Sequence, residues 1–121
     1  MLRHIVLLQI SDAVPASEID GLLRELSEVA LETPGIRAFV GGPKTPGSGM
    51  SQGFTHALTI DFTDALARDS YLSGLDKDGV GRRISEMTVG GLGGVLAINI
   101  DISDMKAPDD MAPKKLQAKW T

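Results

Sequence analysis

Two periodicities divide the chain. From Arg3 to Ile10 the residues are short, branched and mostly apolar, and Ser11-Asp12 close the run, a pattern that predicts a strand. Side chains alternate across a sheet, so His4, Val6, Leu8 and Ile10 share one face while Arg3, Ile5, Leu7 and Gln9 take the other. Both faces carry aliphatic residues, which predicts burial on both sides. Phe54 to Phe62 alternates more cleanly: Phe54, His56, Leu58, Ile60 and Phe62 fall on one face, and Thr55, Ala57, Thr59 and Asp61 on a smaller, more polar one. Ile36 to Val40 predicts a brief strand running into Gly41-Gly42. Val95 to Ile102 predicts a fourth.

Helical spacing fills the gaps. Ile19, Leu22, Leu23, Leu26, Val29 and Ala30 recur at that period, with Glu18, Arg24, Glu25, Glu28 and Glu32 on the wet side. Ser17 stands where it can cap the first turn, and Thr33-Pro34-Gly35 stops the helix. Thr63 or Asp64 can cap a second helix carrying Leu66, Tyr71 and Leu72. Ser73 to Gly79 reads as a turn, followed by a shorter helical stretch over 82–87. Pro43 to Gly53 is a loop by composition, with two prolines, three glycines and two serines.

The order is strand, helix, strand, strand, helix, strand. It predicts an α+β, ferredoxin-like split βαβ fold: an antiparallel four-stranded sheet, first and third strands central, with its helices on one face. The uncovered face would carry Ile5, Leu7, Ala57 and Val95, which water does not suit, so a homodimer through that face is expected. One domain covers residues 1–102. Residues 103–121 hold two prolines and mixed charge; they read as a frayed tail or as an extended arm swapped onto a partner subunit, anchored by Met105, Met111, Leu116 and Trp120.

Composition narrows the function. The 121 residues include no cysteine, which excludes disulfides, thiol nucleophiles and thiolate metal sites. Twelve basic and sixteen acidic residues give a net charge of −4 with no basic stripe, so nucleic acid is not an expected partner. The longest uncharged run, Met87 to Ile100, holds four glycines and falls short of the roughly 20 apolar residues a bilayer needs. The N-terminal apolar run is too brief for a signal peptide. No membrane association and a cytoplasmic location are expected.

Three apparent motifs fail on chemistry. Lys44-Thr45 has Pro43 where a phosphate loop needs glycine, and it leads into a strand. Gly79-Val-Gly81 follows no strand and lacks the last glycine of a dinucleotide site. Asp76-Lys-Asp78-Gly79 starts like a calcium loop but puts Val80 at the next ligand position. His4 and His56, on adjacent strands, make a two-ligand start for a metal, yet no acid is placed beside them. Neither metal nor cofactor is expected.

Arg3-His4-Ile-Val-Leu-Leu and Gly53-Phe-Thr-His56-Ala-Leu-Thr-Ile-Asp-Phe62 together resemble the stress-responsive A/B barrel domain, the dimeric α+β barrel group. Thr33-Pro34-Gly35-Ile36, Gly41-Gly42 and Tyr71-Leu72 fall where that family has similar features, so the resemblance covers about residues 2–102. It implies a homodimer whose two sheets face each other as a barrel. Polyketide-cyclising members of the family work without a cofactor, using a histidine after the second helix as base with a tyrosine in support. Tyr71 matches that tyrosine. The base does not match, because Gly74-Leu-Asp-Lys77 stands where the family has His-Pro-x-x-His.

A pocket between sheet and helices is the remaining candidate. His4, Val6, Leu8, His56 and Leu58 would form its floor, and Leu23, Leu26 and Tyr71 its walls. Apolar walls with a few polar groups describe a site for a small apolar or aromatic molecule. They equally describe a filled core with two hydrogen-bonded histidines. The activity is therefore unassigned. The alternative is a cofactor-independent enzyme of the polyketide-cyclase or monooxygenase kind, in which His4, His56 and Tyr71 hold the substrate. A third reading is a purely structural assembly module.

Overall fold

The computed structural model describes residues 1–47 and 49–102. In chain order it contains β1 (Leu2–Leu8), α1 (Ala16–Glu32), β2 (Ile36–Pro43), β3 (His56–Phe62), α2 (Ala65–Lys77), α3 (Val80–Met87) and β4 (Val95–Asp101). Every strand pairing is antiparallel, in the order β2-β3-β1-β4. This is the ferredoxin-like split arrangement, with β1 and β3 central. The expectation of a swapped arm over residues 103–121 lies outside the described residues.

Helix α1 buries Leu22, Leu26 and Ala30, with Ile19, Leu23 and Val29 packed beside them. Ser17 does not cap it. The helix begins at Ala16, so Ser17 already lies inside the first turn, and Pro15 enters with φ −64°, close to the helical value. At the other end Gly35 takes φ +89°, and a Cβ there would stand 2.6 Å from that of Ala67. Only glycine lets the chain turn this tightly against α2. Asp64 caps α2, its carboxylate accepting from the Ala67 backbone N–H at 2.9 Å.

Ser73 to Lys77 is not a turn, as the sequence suggests, but the last part of α2. Ala67, Tyr71 and Leu75 recur every four residues and are all buried. Burying that stripe outweighs the poor helix propensity of Ser73 and Gly74. The real break comes at Gly79, with φ +70°, after which Val80 enters the core fully buried.

Register decides which face each residue serves. Leu8 pairs with His56 on one side and Val95 on the other; His4 pairs with Ile60 and Asn99. Paired residues share a face, so Val95 lies under the helices. Its assignment to the uncovered face is wrong by one residue, and in a strand one residue changes the face. The open face instead presents Leu96, Ile98 and Ile100, each between 41% and 49% exposed, and Val40 at 67%. Ile5, Leu7 and Ala57 sit among them, as the alternation predicts. Among the described residues no helix is long and apolar enough to cross a membrane.

Candidate functional site

A cavity of about 280 Å³ lies between the β1–β4 half of the sheet and helices α2 and α3. His4, Val6 and Leu8 of β1, Leu58 and Ile60 of β3, and Val95 and Ala97 of β4 form its floor. Leu26, Tyr71, Leu72, Leu75 and Ile84 close it from the helical side. The cavity thus brings together His4, Val6, Leu8, Leu26, Leu58 and Tyr71 of the candidate residues.

His56 and Leu23 lie elsewhere. Both belong to the half of the fold where α1 meets β2 and β3, Leu23 on the helix and His56 on the sheet. A Cβ on Gly41 of β2 would stand 3.6 Å from Leu23 Cδ2, and His56 pairs with Pro43. His56 Nδ1 lies 2.8 Å from Thr55 Oγ1. Partial burial holds its pKa below the ordinary imidazole value, against the pull of the Asp20 carboxylate. The two imidazoles are not neighbours. His4 stands opposite Ile60, four residues along β3 from His56, or about 13 Å at roughly 3.3 Å per residue. Among the described residues no three His, Asp or Glu side chains gather as metal ligands do.

The polar groups at the cavity are few and well held. His4 is buried, with Nδ1 2.9 Å from Asn99 Oδ1 and its ring edge-on to Phe62 at 6.4 Å between centroids. Phe62 in turn packs on Tyr71 at 5.7 Å. The Tyr71 hydroxyl donates to the Leu26 backbone carbonyl at 2.9 Å. Burial pushes the Tyr71 phenol well above its ordinary pKa, because a phenolate there would lose its hydration. Tyr71 therefore stays protonated, fixed to α1 by its own hydrogen.

Several cavity residues escaped the sequence reading. Leu72 and Leu75 follow Tyr71 at helical spacing, but Leu75 was hidden by the apparent turn at Ser73. Val95 and Ala97, with Asn99 next in the same row behind the wall, alternate along β4 and become visible only with the register. Leu75 also shows what replaces the family's histidine run: the segment 74–77 is helical and turns leucine, not imidazole, toward the cavity. A larger depression of about 390 Å³ lies between α1 and α3, but its arginine, Arg83, is already paired with Glu25. Hydrogen bonding from Arg83 holds the Glu25 carboxyl below its ordinary pKa.

Comparison with solved structures gives the same fold. A dimeric ferredoxin-like protein of unknown function from Jannaschia sp. is 23% identical, with a TM-score of 0.66 over 83% of this chain and 97% of its own. A protein from Arabidopsis thaliana is 18% identical, with a TM-score of 0.71 over 88% of this chain and 100% of its own. The hydroxynitrile lyase of Passiflora edulis is 15% identical, with a TM-score of 0.71 over 88% and 96%. No curated protein matches the chain in sequence. The model of the stress responsive A/B barrel domain matches residues 2–89, and the chain belongs to that family.

Proposed function

We propose that the protein is a homodimer that binds a small, mostly apolar or aromatic molecule between its sheet and its helices. The observation that carries the binding is the cavity of about 280 Å³, walled by aliphatic side chains except at His4 and Tyr71. A cavity of about 150 Å³ already holds a benzene ring, so a single ring with a short chain fits. The homodimer rests on the open face, where Leu96, Ile98 and Ile100 form an apolar row. The dimeric Jannaschia relative supports it.

A thermal-shift screen of substituted monocyclic aromatics tests the binding, since a ligand of the native state raises its melting temperature. The expected result is a saturable rise that Ala97→Phe, which fills the floor, abolishes. A rise untouched by that substitution would move the ligand out of the cavity, and no rise across the screen would remove the binding function.

A second reading is cofactor-independent catalysis of the cyclase or monooxygenase kind. One observation favours it: His4 lines the cavity, and among the described residues only one of its ring nitrogens has a hydrogen-bond partner. Turnover of a bound ligand, lost in His4→Gln with binding retained, would select this reading; binding without turnover would leave the first.

A further inference from the structure

The two polar side chains at the cavity have both committed a proton to the protein. The Tyr71 hydroxyl gives its hydrogen to the Leu26 carbonyl. Asn99 Oδ1 accepts only, so the hydrogen it shares with His4 is the ring's own, on Nδ1, and in the uncharged ring Nε2 is then a bare lone pair. No fully buried side-chain nitrogen or oxygen lacks a partner among the described residues. Nε2, which has none, therefore opens onto space, and His4 lines the cavity. What the Tyr71 oxygen has left is likewise a lone pair. Every other side chain on the wall is aliphatic.

We infer that this cavity is an acceptor-only site, selective for a neutral apolar molecule bearing a hydroxyl or N–H donor, with Asn99 as the positioning residue that sets this polarity through His4. The inference rests on the proposed ligand role of the cavity and adds the class of ligand. A carboxylate finds no donor and no cation at the wall, so whatever hydration it gives up there goes uncompensated. A ketone or ether fits the apolar body but leaves His4 Nε2 unpaired. A phenol or alcohol satisfies it. The discrimination arises because a site built around a hydrogen bond is left with an unpaired buried group by the analogue that lacks the partner.

Asn99 lies on the edge strand, where its side chain is exposed enough to be changed without emptying the core. The test uses the full-length protein and three probes of equal length: 4-propylphenol, 4-propylanisole and 4-propylbenzoate. Calorimetry should give the phenol an affinity about ten-fold or more above the ether, with the benzoate weakest. In Asn99→Leu, which removes the acceptor facing Nδ1, that preference should shrink to a few-fold. Nitrogen-detected NMR of the ligand-free protein should show the Nδ1–H tautomer of His4 in the wild type and a tautomer mixture in Asn99→Leu. The NMR measurement does not depend on any ligand. An Nε2–H tautomer in the wild type, or equal binding of phenol and ether, would overturn the acceptor-only site while leaving the cavity a binding site. Failure of all three probes to bind, while larger aromatics do so through the cavity without preferring donors, would also overturn it. Failure of every ligand would instead remove the proposed function beneath it.

Discussion

The two faces of the sheet are drawn from the same strands, yet they solve opposite problems. On the covered face Val6, Leu8, Leu58, Ile60 and Phe62 meet helices of their own chain and are almost wholly buried. On the open face Ile5, Leu7, Leu96, Ile98 and Ile100 are nearly as apolar, but among the described residues no helix lies over them. The polar groups differ too. His4 under the helices faces Asn99, whereas the open face carries an Arg3–Asp61 ion pair. A strand's hydrophobicity therefore does not by itself tell which of its faces the fold covers. One face makes the monomer fold, and the other is the face on which the proposed dimer rests.

Substitutions can damage the two faces separately. Phe62 is fully buried against His4 and Tyr71. Phe62→Ala should cost about 3–5 kcal/mol through lost burial and the cavity left behind. That is a large fraction of the roughly 5–15 kcal/mol that holds a typical domain together. Urea denaturation followed by circular dichroism should show a chain largely unfolded or with its midpoint sharply lowered. A loss below about 1 kcal/mol would mean that the covered face is not the structural one.

The open face should answer differently. Ile98→Asp puts a charge in the middle of the apolar row, 49% exposed in one chain. Sedimentation should show the dimer weakened about a hundred-fold or more, equivalent to about 2.8 kcal/mol. The far-UV spectrum should stay that of the folded chain. If the variant remains a dimer, the partner lies on another surface. If it unfolds, the distinction between a folding face and an assembly face fails.

Much of this division was legible before any coordinates. The order of elements, the central positions of β1 and β3, and the alternation placing His4, Val6 and Leu8 under the helices all follow from spacing. Register was not legible. Whether Val95 faces in or out depends on its pairing with Leu8, and the glycines ahead of β4 erase the phase a longer strand would have kept. The length of α2 was obscured for a related reason: Ser73 and Gly74 carry local turn chemistry, while the opposing pull of Leu75 is a long-range contact. The same limits govern the site. Placing His56 with His4 follows from their common face, but a face has length, and only the packing of α1 over β2 and β3 separates them.

A smaller effect sharpens the covered face. Tyr71→Phe removes one buried hydroxyl and its bond to the Leu26 carbonyl without changing the ring packing on Phe62. The expected loss is about 1 kcal/mol, or a fall of about 4–8 °C in melting temperature for a domain of this size. A much larger fall would show that the hydroxyl anchors α1 to α2 beyond its single hydrogen bond.

The smallest effect concerns the open face, and its sign can be worked out. Arg3 Nε and Nη2 donate to the two carboxylate oxygens of Asp61 at 2.7 and 2.9 Å. Those hydrogen bonds, with the guanidinium charge behind them, hold the Asp61 carboxyl below its ordinary pKa despite partial burial. A carboxyl with a lower pKa in the folded state stabilises the fold above its unfolded value of about 3.9. That stability drains as pH falls through the folded pKa, because the unfolded chain takes up its proton first. Asp61→Asn should therefore cost a monomer only about 0.2–1 kcal/mol at pH 7, as partly exposed pairs do. The gap between wild type and variant should persist at pH 5 and close below about pH 4. Measuring the same gap in an Ile98→Asp background separates the chain from its assembly. In a dimer built on this face the pair is shut away from water, and losing the carboxylate strands Arg3 without a counter-charge, which is far more damaging than losing an exposed pair. The gap should then be larger at concentrations where the wild type is dimeric than in the Ile98→Asp monomer. Equal gaps in both would mean that Arg3 and Asp61 stay in water, and that the apolar row beside them is covered by something other than a second copy of this sheet.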